Sequence, residues 1–113
     1  MEKRKIGKDT FYICLLNEGK VTAVKKDGYT LGDVGLHRGK CPQGREIWIA
    51  THIPTGLRLM SEDREGKRTR QQVFKEAVKV LEENGQRVAE HMKTEIYETF
   101  RKSRYDQTVT RVF

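Results

Sequence analysis

Glu46-Ile47-Trp48-Ile49-Ala50-Thr51-His52-Ile53-Pro54-Thr55-Gly56-Leu57-Arg58-Leu59-Met60-Ser61 is the stretch that decides the fold. Ile47, Ile49 and Ile53 alternate with Trp48, Ala50 and His52, the two-residue period of a β-strand whose side chains point to opposite faces. Pro54 presets the backbone for the first position of a turn and Gly56 supplies a left-handed one, so residues 57–61 pair back as the second strand of a hairpin. Trp48 and His52 then share one face, and the return strand brings Arg58 or Met60 beside them.

Downstream the period changes. Thr69-Arg70-Gln71-Gln72 is a capping box, in which a threonine hydroxyl and a glutamine side chain satisfy the free N–H groups of a helix start. Val73, Phe74, Ala77, Val78 and Leu81 recur at helical spacing, with Lys75, Glu76, Lys79, Glu82 and Glu83 on the other face. Asn84-Gly85 supplies a C-terminal cap. Ala89, Met92, Ile96 and Phe100 predict a second helix over residues 86–102, out of phase with the first. Residues 104–113 form a basic tail, β-prone from residue 108, which either adds an edge strand or stays free.

Upstream, Phe11-Tyr12-Ile13-Cys14-Leu15-Leu16 is a continuous β-prone run that reads as a strand buried on both faces at the centre of the sheet. Residues 20–26 form a second strand, Asp27-Gly28 has the composition of a tight hairpin turn, and residues 29–31 return along it. Gly32, Gly35, Gly39 and Gly44 punctuate what reads as a long loop, with residues 34–38 as a short edge strand. Strands first and helices afterwards predict an α+β fold. Its antiparallel sheet has four or five strands, followed by two helices packed on one face, with the other face partly open. The 113 residues suit a single domain with residues 1–8 as a flexible basic arm.

Charge is the strongest functional signal. Lys plus Arg number 23 against 16 for Asp plus Glu, giving +7 and a pI near 9.6, a balance that attracts polyanions by neutralising phosphates and releasing counterions. Residues 1–60 hold 11 basic and 6 acidic side chains, so most of the excess lies in the strand-forming half. No apolar run is long enough to span a bilayer, and no signal-peptide pattern follows the basic start. The two cysteines, Cys14 and Cys41, stand without a framework of others. A reduced, cytoplasmic protein that binds no membrane is the expectation.

The candidate binding residues fall into four groups. Trp48, His52, Arg58 and Met60 form a docking face if the indole is exposed, because an aromatic beside a guanidinium can stack on a base; the alternative is that Trp48 fills a second hydrophobic layer under the tail. Lys3, Arg4, Lys5 and Lys8 make a basic arm. Lys25 and Lys26, with His37, Arg38 and Lys40, extend it across the glycine-rich segment. Lys67, Arg68 and Arg70 cluster at a helix start, where the helix dipole already favours anions.

Catalysis and metal binding find less support. A small nuclease needs a general base and a phosphate clamp, and His52 with Arg58 is the pair that would supply them. His37, His52 and His91 lie on separate elements, with no nucleophile motif beside them. His37 and Cys41, joined by Cys14 or His52, are the metal candidates, but no C-x-x-C or closely spaced Cys or His pair accompanies them, so neither metal nor cofactor is expected.

Two resemblances follow. The order of residues 46–61 and 69–83, hairpin and then capped helix, resembles the sheet-plus-helix DNA-binding domains of AP2-type and integrase arm-binding modules; the likeness covers about half of the chain and implies a sheet docked on DNA. The short, charged chain with its Trp48-Ile49-Ala50-Thr51-His52-Ile53-Pro54-Thr55-Gly56 hairpin is similar to small accessory proteins of bacterial phages and mobile elements, a group that includes anti-CRISPR inhibitors. The expectation is a non-catalytic binding module for nucleic acid or a nucleoprotein complex. The alternative is an inhibitor that acts on a host defence nuclease by protein contact.

Overall fold

The computed structural model describes residues 6–61, 69–105 and 111–112. Strands β1 (Gly7–Asn17) and β2 (Lys20–Leu31) form a long antiparallel hairpin, in register from Gly7 opposite Thr30 to Asn17 opposite Lys20. Glu18 and Gly19 turn it with φ of 51° and 78°, the positive values that a two-residue hairpin turn requires. Strands β3 (Val34–Lys40), β4 (Glu46–His52) and β5 (Leu57–Ser61) complete an antiparallel sheet in the order β1-β2-β3-β4-β5.

Three expectations change here. The apolar run of β1 lies on the edge of the sheet and not at its centre; Phe11 is buried, but Leu15 and Leu16 are 49% and 56% exposed because the β1–β2 hairpin end lies away from the short β2–β3 ladder. Asp27-Gly28 lies inside β2, with Gly28 pressed against the backbone of β3. The glycine-rich segment is mostly strand: β3 is the middle strand, and Val34 and Leu36 are among the most deeply buried side chains.

Helix α1 (Arg70–Glu83) begins at the expected capping box. The Thr69 hydroxyl accepts the Gln72 N–H at 3.2 Å, and the Thr69 N–H donates to Gln72 Oε1 at 2.9 Å. Val73, Phe74 and Ala77 are buried against Val34, Leu36, Trp48 and Ala50; full burial of a side chain such as Phe74 is worth about 1.5–3 kcal/mol. The expected second helix is two, α2 (Gly85–His91) and α3 (Glu95–Tyr105). Thr94 divides them: its hydroxyl donates to the His91 carbonyl at 2.6 Å and accepts the Tyr97 N–H at 3.3 Å, closing one helix and opening the next. Phe100 of α3 is fully buried with Val21 and Ala23 of β2. In the tail, strand β6 (Arg111–Val112) pairs with β2 opposite Val21 and Thr22.

Alternation places Tyr29, Leu31, Val34, Leu36, Trp48 and Ala50 toward α1, and His37, Ile49 and Thr51 on the opposite face. The sheet curls so far that β1 returns over this second face, where the Cys14 N–H donates to the Gly56 carbonyl at 2.9 Å. Gly56 has φ +69°, and a β-carbon there would stand 2.6 Å from the Cys14 nitrogen and collide with the Phe100 ring, so only glycine fits this corner. No helix among the described residues is long and apolar enough to cross a membrane.

Candidate nucleic-acid interface

The β2–β3 ladder is only three residues long: Tyr29 opposite Leu36, Thr30 opposite Gly35 and Leu31 opposite Val34. Beyond Gly28 the strands part, β2 continuing with β1 and β3 with β4. Gly28 marks the fork, since a β-carbon there would overlap the Leu36 carbonyl oxygen and lie 3.0 Å from its carbon. A groove of about 230 Å³ opens in the fork.

Three cations line this groove. Lys8 comes from β1, opposite Tyr29; Lys26 comes from β2, and Arg38 from β3. Asp27 is the only carboxylate among the described lining residues. Lys8 and Arg38 are exposed, and Lys26 is half-buried.

The two aromatic side chains that line the groove, Trp48 and Tyr29, each carry a guanidinium. The Arg38 guanidinium carbon lies 4.1 Å from the Trp48 ring centre, and that of Arg70 lies 4.0 Å from the Tyr29 ring centre. The two aromatic rings meet edge to face at 6.0 Å. Stacks of this kind contribute about 0.5–1 kcal/mol at exposed sites and restrict where each guanidinium can point. Arg38 is thereby held at the edge of the groove.

The expected docking face of Trp48, His52, Arg58 and Met60 does not form. Trp48 is 9% exposed, covered by Arg38 and packed in the core cluster with α1, so its ring is no platform for a base. His52 is buried on the same side, its Nδ1 2.8 Å from the Thr55 hydroxyl. Burial lowers its pKa below the ordinary imidazole value against an opposing pull from Asp33. Met60 is opposite Ala50 and packs on the same cluster. Arg58 is opposite Thr51 on the other face, so the pair expected of a nuclease, His52 with Arg58, is divided by the sheet. A bulge between Ala50 and Thr51 shifts the β4–β5 register, and alternation alone could not reveal it.

The remaining expected cations divide among several surfaces. Lys26 and Arg38 line the groove at the fork, whereas Arg70 stacks on Tyr29 and lines the separate groove along α1; Lys25 is exposed and points to the opposite side of β2 from Lys26, and Lys40 is opposite Glu46 at the far end of β3. Lys3, Arg4, Lys5, Lys67 and Arg68 lie outside the described residues. Tyr29 was not singled out as a site residue. Reading residues 20–31 as one strand would have placed it in phase with Val21 and Ala23; that Arg70 of α1 covers it is a tertiary fact.

His37 borders the groove and is 6% exposed, with its ring 6.0 Å from that of Phe11. Burial lowers its pKa first, and the positive charges of Lys26 and Arg58 lower it further, so the imidazole is neutral at pH 7. Burial also raises the Cys14 thiol above its ordinary value, which removes the thiolate a nucleophile would need. Among the described residues no three His, Cys, Asp or Glu side chains gather as a metal site requires. Comparison with protein-family models, curated proteins and solved structures gives no match.

Proposed function

We propose that this protein is a non-catalytic nucleic-acid-binding module that grips the phosphate backbone at the fork between β2 and β3. The observation that carries the reading is the convergence of Lys8, Lys26 and Arg38 on one groove, with Arg38 braced on Trp48 and Arg70 braced on Tyr29 beside it. Cations held in this way neutralise phosphates whatever the base sequence. With Trp48 sealed under Arg38, base stacking on the indole has no part, and binding discriminates little between sequences.

The test is fluorescence anisotropy with labelled single-stranded and duplex probes at low salt, comparing the wild type with Lys8→Ala/Lys26→Ala/Arg38→Ala. Loss of most of the affinity in the triple variant, with the fold intact by circular dichroism, is the expected result. Equal affinity in both proteins would dismiss the fork as the binding surface.

A second reading, inhibition of a host nuclease by protein contact, draws on a different feature. An open groove of about 740 Å³ runs along α1 between Ile6, Leu31, Phe74 and Val78, and Val78 is 37% exposed. If a protein partner is found, Val78→Asp separates the readings: it weakens contact made through α1 and leaves contact made through the fork unchanged.

A further inference from the structure

The apolar face of α1 is wider than the sheet that covers it. Val73, Phe74 and Ala77 are buried, and Leu81 packs against the same core cluster. Val78, one turn on from Phe74, stands 37% exposed. Beside it lies the open groove of about 740 Å³, whose apolar lining is Phe74 and Val78 of α1, Ile6 ahead of β1 and Leu31 at the end of β2. The groove follows α1 from Arg70 to Glu82, a run of about 18 Å at the rise of an α-helix.

Its rim is cationic. Lys75 and Lys79 are exposed one helical turn apart, Arg70 stands at the helix start, and Glu82 at the far end is the only carboxylate among the described lining residues. Like charges at this spacing repel, and among the described residues neither lysine pairs with a carboxylate. An occupant that fits is therefore apolar along one side and negative on its flank. A polynucleotide is charged along its whole length and offers the four apolar side chains no cover. A single acyl chain in an open trough keeps one side in water. An amphipathic helix meets both demands: a stripe at i, i+3, i+4 and i+7 covers the apolar lining, and carboxylates four residues apart beside that stripe match the spacing of Lys75 and Lys79.

We infer that this groove is the docking site for an acidic amphipathic helix of a protein partner, laid along α1 with its apolar stripe on Ile6, Leu31, Phe74 and Val78 and its carboxylates on Lys75 and Lys79. The length of the groove suits a helix of about 12 residues. Glu82 repels a carboxylate at the far end, so the acidic positions belong to the part of the partner helix beside Arg70, Lys75 and Lys79. This deepens the second reading above by naming the chemistry of the partner that α1 receives. It uses none of the cations of the fork and stands whether or not the fork binds nucleic acid.

The experiment uses two synthetic peptides of about 12 residues, held helical by a staple on the outer face. Both carry leucines at i, i+3, i+4 and i+7; one has glutamates flanking that stripe and the other has lysines. Each is titrated into isotope-labelled full-length protein, following the methyl signals of Leu31 and Val78 by NMR. Saturable shifts with the acidic peptide, and affinity at least about fivefold weaker for the basic one, are expected. Lys75→Glu/Lys79→Glu, two exposed substitutions, is expected to reverse that preference, and Val78→Asp to weaken the acidic peptide at least about tenfold. The Lys8→Ala/Lys26→Ala/Arg38→Ala variant is expected to bind the acidic peptide as the wild type does, which separates failure here from failure of the fork. No saturable binding, equal affinity for the two peptides, or an unchanged preference in the lysine variant would overturn the inference. So would displacement of the acidic peptide by decanoate or by a single-stranded oligonucleotide, which would give the groove to a lipid or a nucleic acid. Self-association of the free protein that Val78→Asp abolishes would give it to a second copy of this chain and overturn the inference too.

Discussion

Gly28→Ala tests the architecture of the fork with one methyl group. Gly28 has an ordinary φ, so alanine meets no backbone strain, and the whole penalty comes from contact. Its β-carbon would overlap the Leu36 carbonyl oxygen, lie 3.0 Å from the Leu36 carbonyl carbon and 3.3 Å from the His37 α-carbon. All three atoms are backbone of the central strand, and no rotamer change can move them. Relief requires β2 and β3 to separate, and they are joined by a ladder of only three residue pairs. Overpacking of this kind costs about 1–3 kcal/mol, and each ladder hydrogen bond weakened adds about 1 kcal/mol, so a loss of about 3 kcal/mol is expected. The assay is equilibrium urea unfolding, with Gly44→Ala as the control: Gly44 has φ +84° and nothing within 4 Å, so that variant carries the cost of the left-handed backbone alone, about 1–2 kcal/mol. A Gly28→Ala protein as stable as the wild type, or more stable than Gly44→Ala, would refute the close approach of the two strands.

Three other outcomes follow from the same geometry. Trp48→Ala is expected to behave as a core truncation, losing about 3–5 kcal/mol of stability in chemical denaturation; a loss below about 1 kcal/mol, within the range of a surface change, would mean that the ring is exposed after all. Thr69→Ala removes the hydroxyl that accepts the Gln72 N–H and is expected to cost about 1 kcal/mol, measurable as a lower urea midpoint with an unchanged slope. His37 and His52 both have pKa values below that of an unfolded histidine, so the unfolded chain takes up protons first. Their contribution is complete above pH about 6.5 and is lost as pH falls from there through the folded-state values; His37→Phe is expected to flatten the fall in stability on that acid side, and an equally steep fall would exclude His37 as a source.

What could be read from the sequence was what local chemistry determines. The hairpin around Pro54 and Gly56 and the helix start at Thr69 depend on residues within a few positions of each other, and both formed as expected. The errors arose where distant residues decide. Gly35 and Gly39 looked like loop punctuation, yet each lies in a strand where a distant side chain fills its space, the Phe11 ring over Gly35 and Ile49 over Gly39. Asp27-Gly28 has turn chemistry, but the chain turns well before it, at Glu18-Gly19, and again after Leu31. For Trp48, alternation correctly grouped it with Ala50 and His52; which of the two faces α1 would cover is a tertiary fact that a two-residue period does not contain. The break at Thr94 was more accessible, since a threonine followed by Glu95 is a helix-start signal inside an apparent single helix.

The most direct measurement of the central claim is the salt dependence of binding to a single-stranded probe, compared between the wild type and the triple alanine variant of Lys8, Lys26 and Arg38. Each phosphate neutralised contributes about −0.7 to the slope of log K against log salt concentration. If all three side chains contact phosphates, the wild-type slope is steeper than the variant's by about 2, and restoring any one of them recovers about 0.7. Parallel lines for the two proteins would place the binding charges somewhere other than the fork and contradict the account.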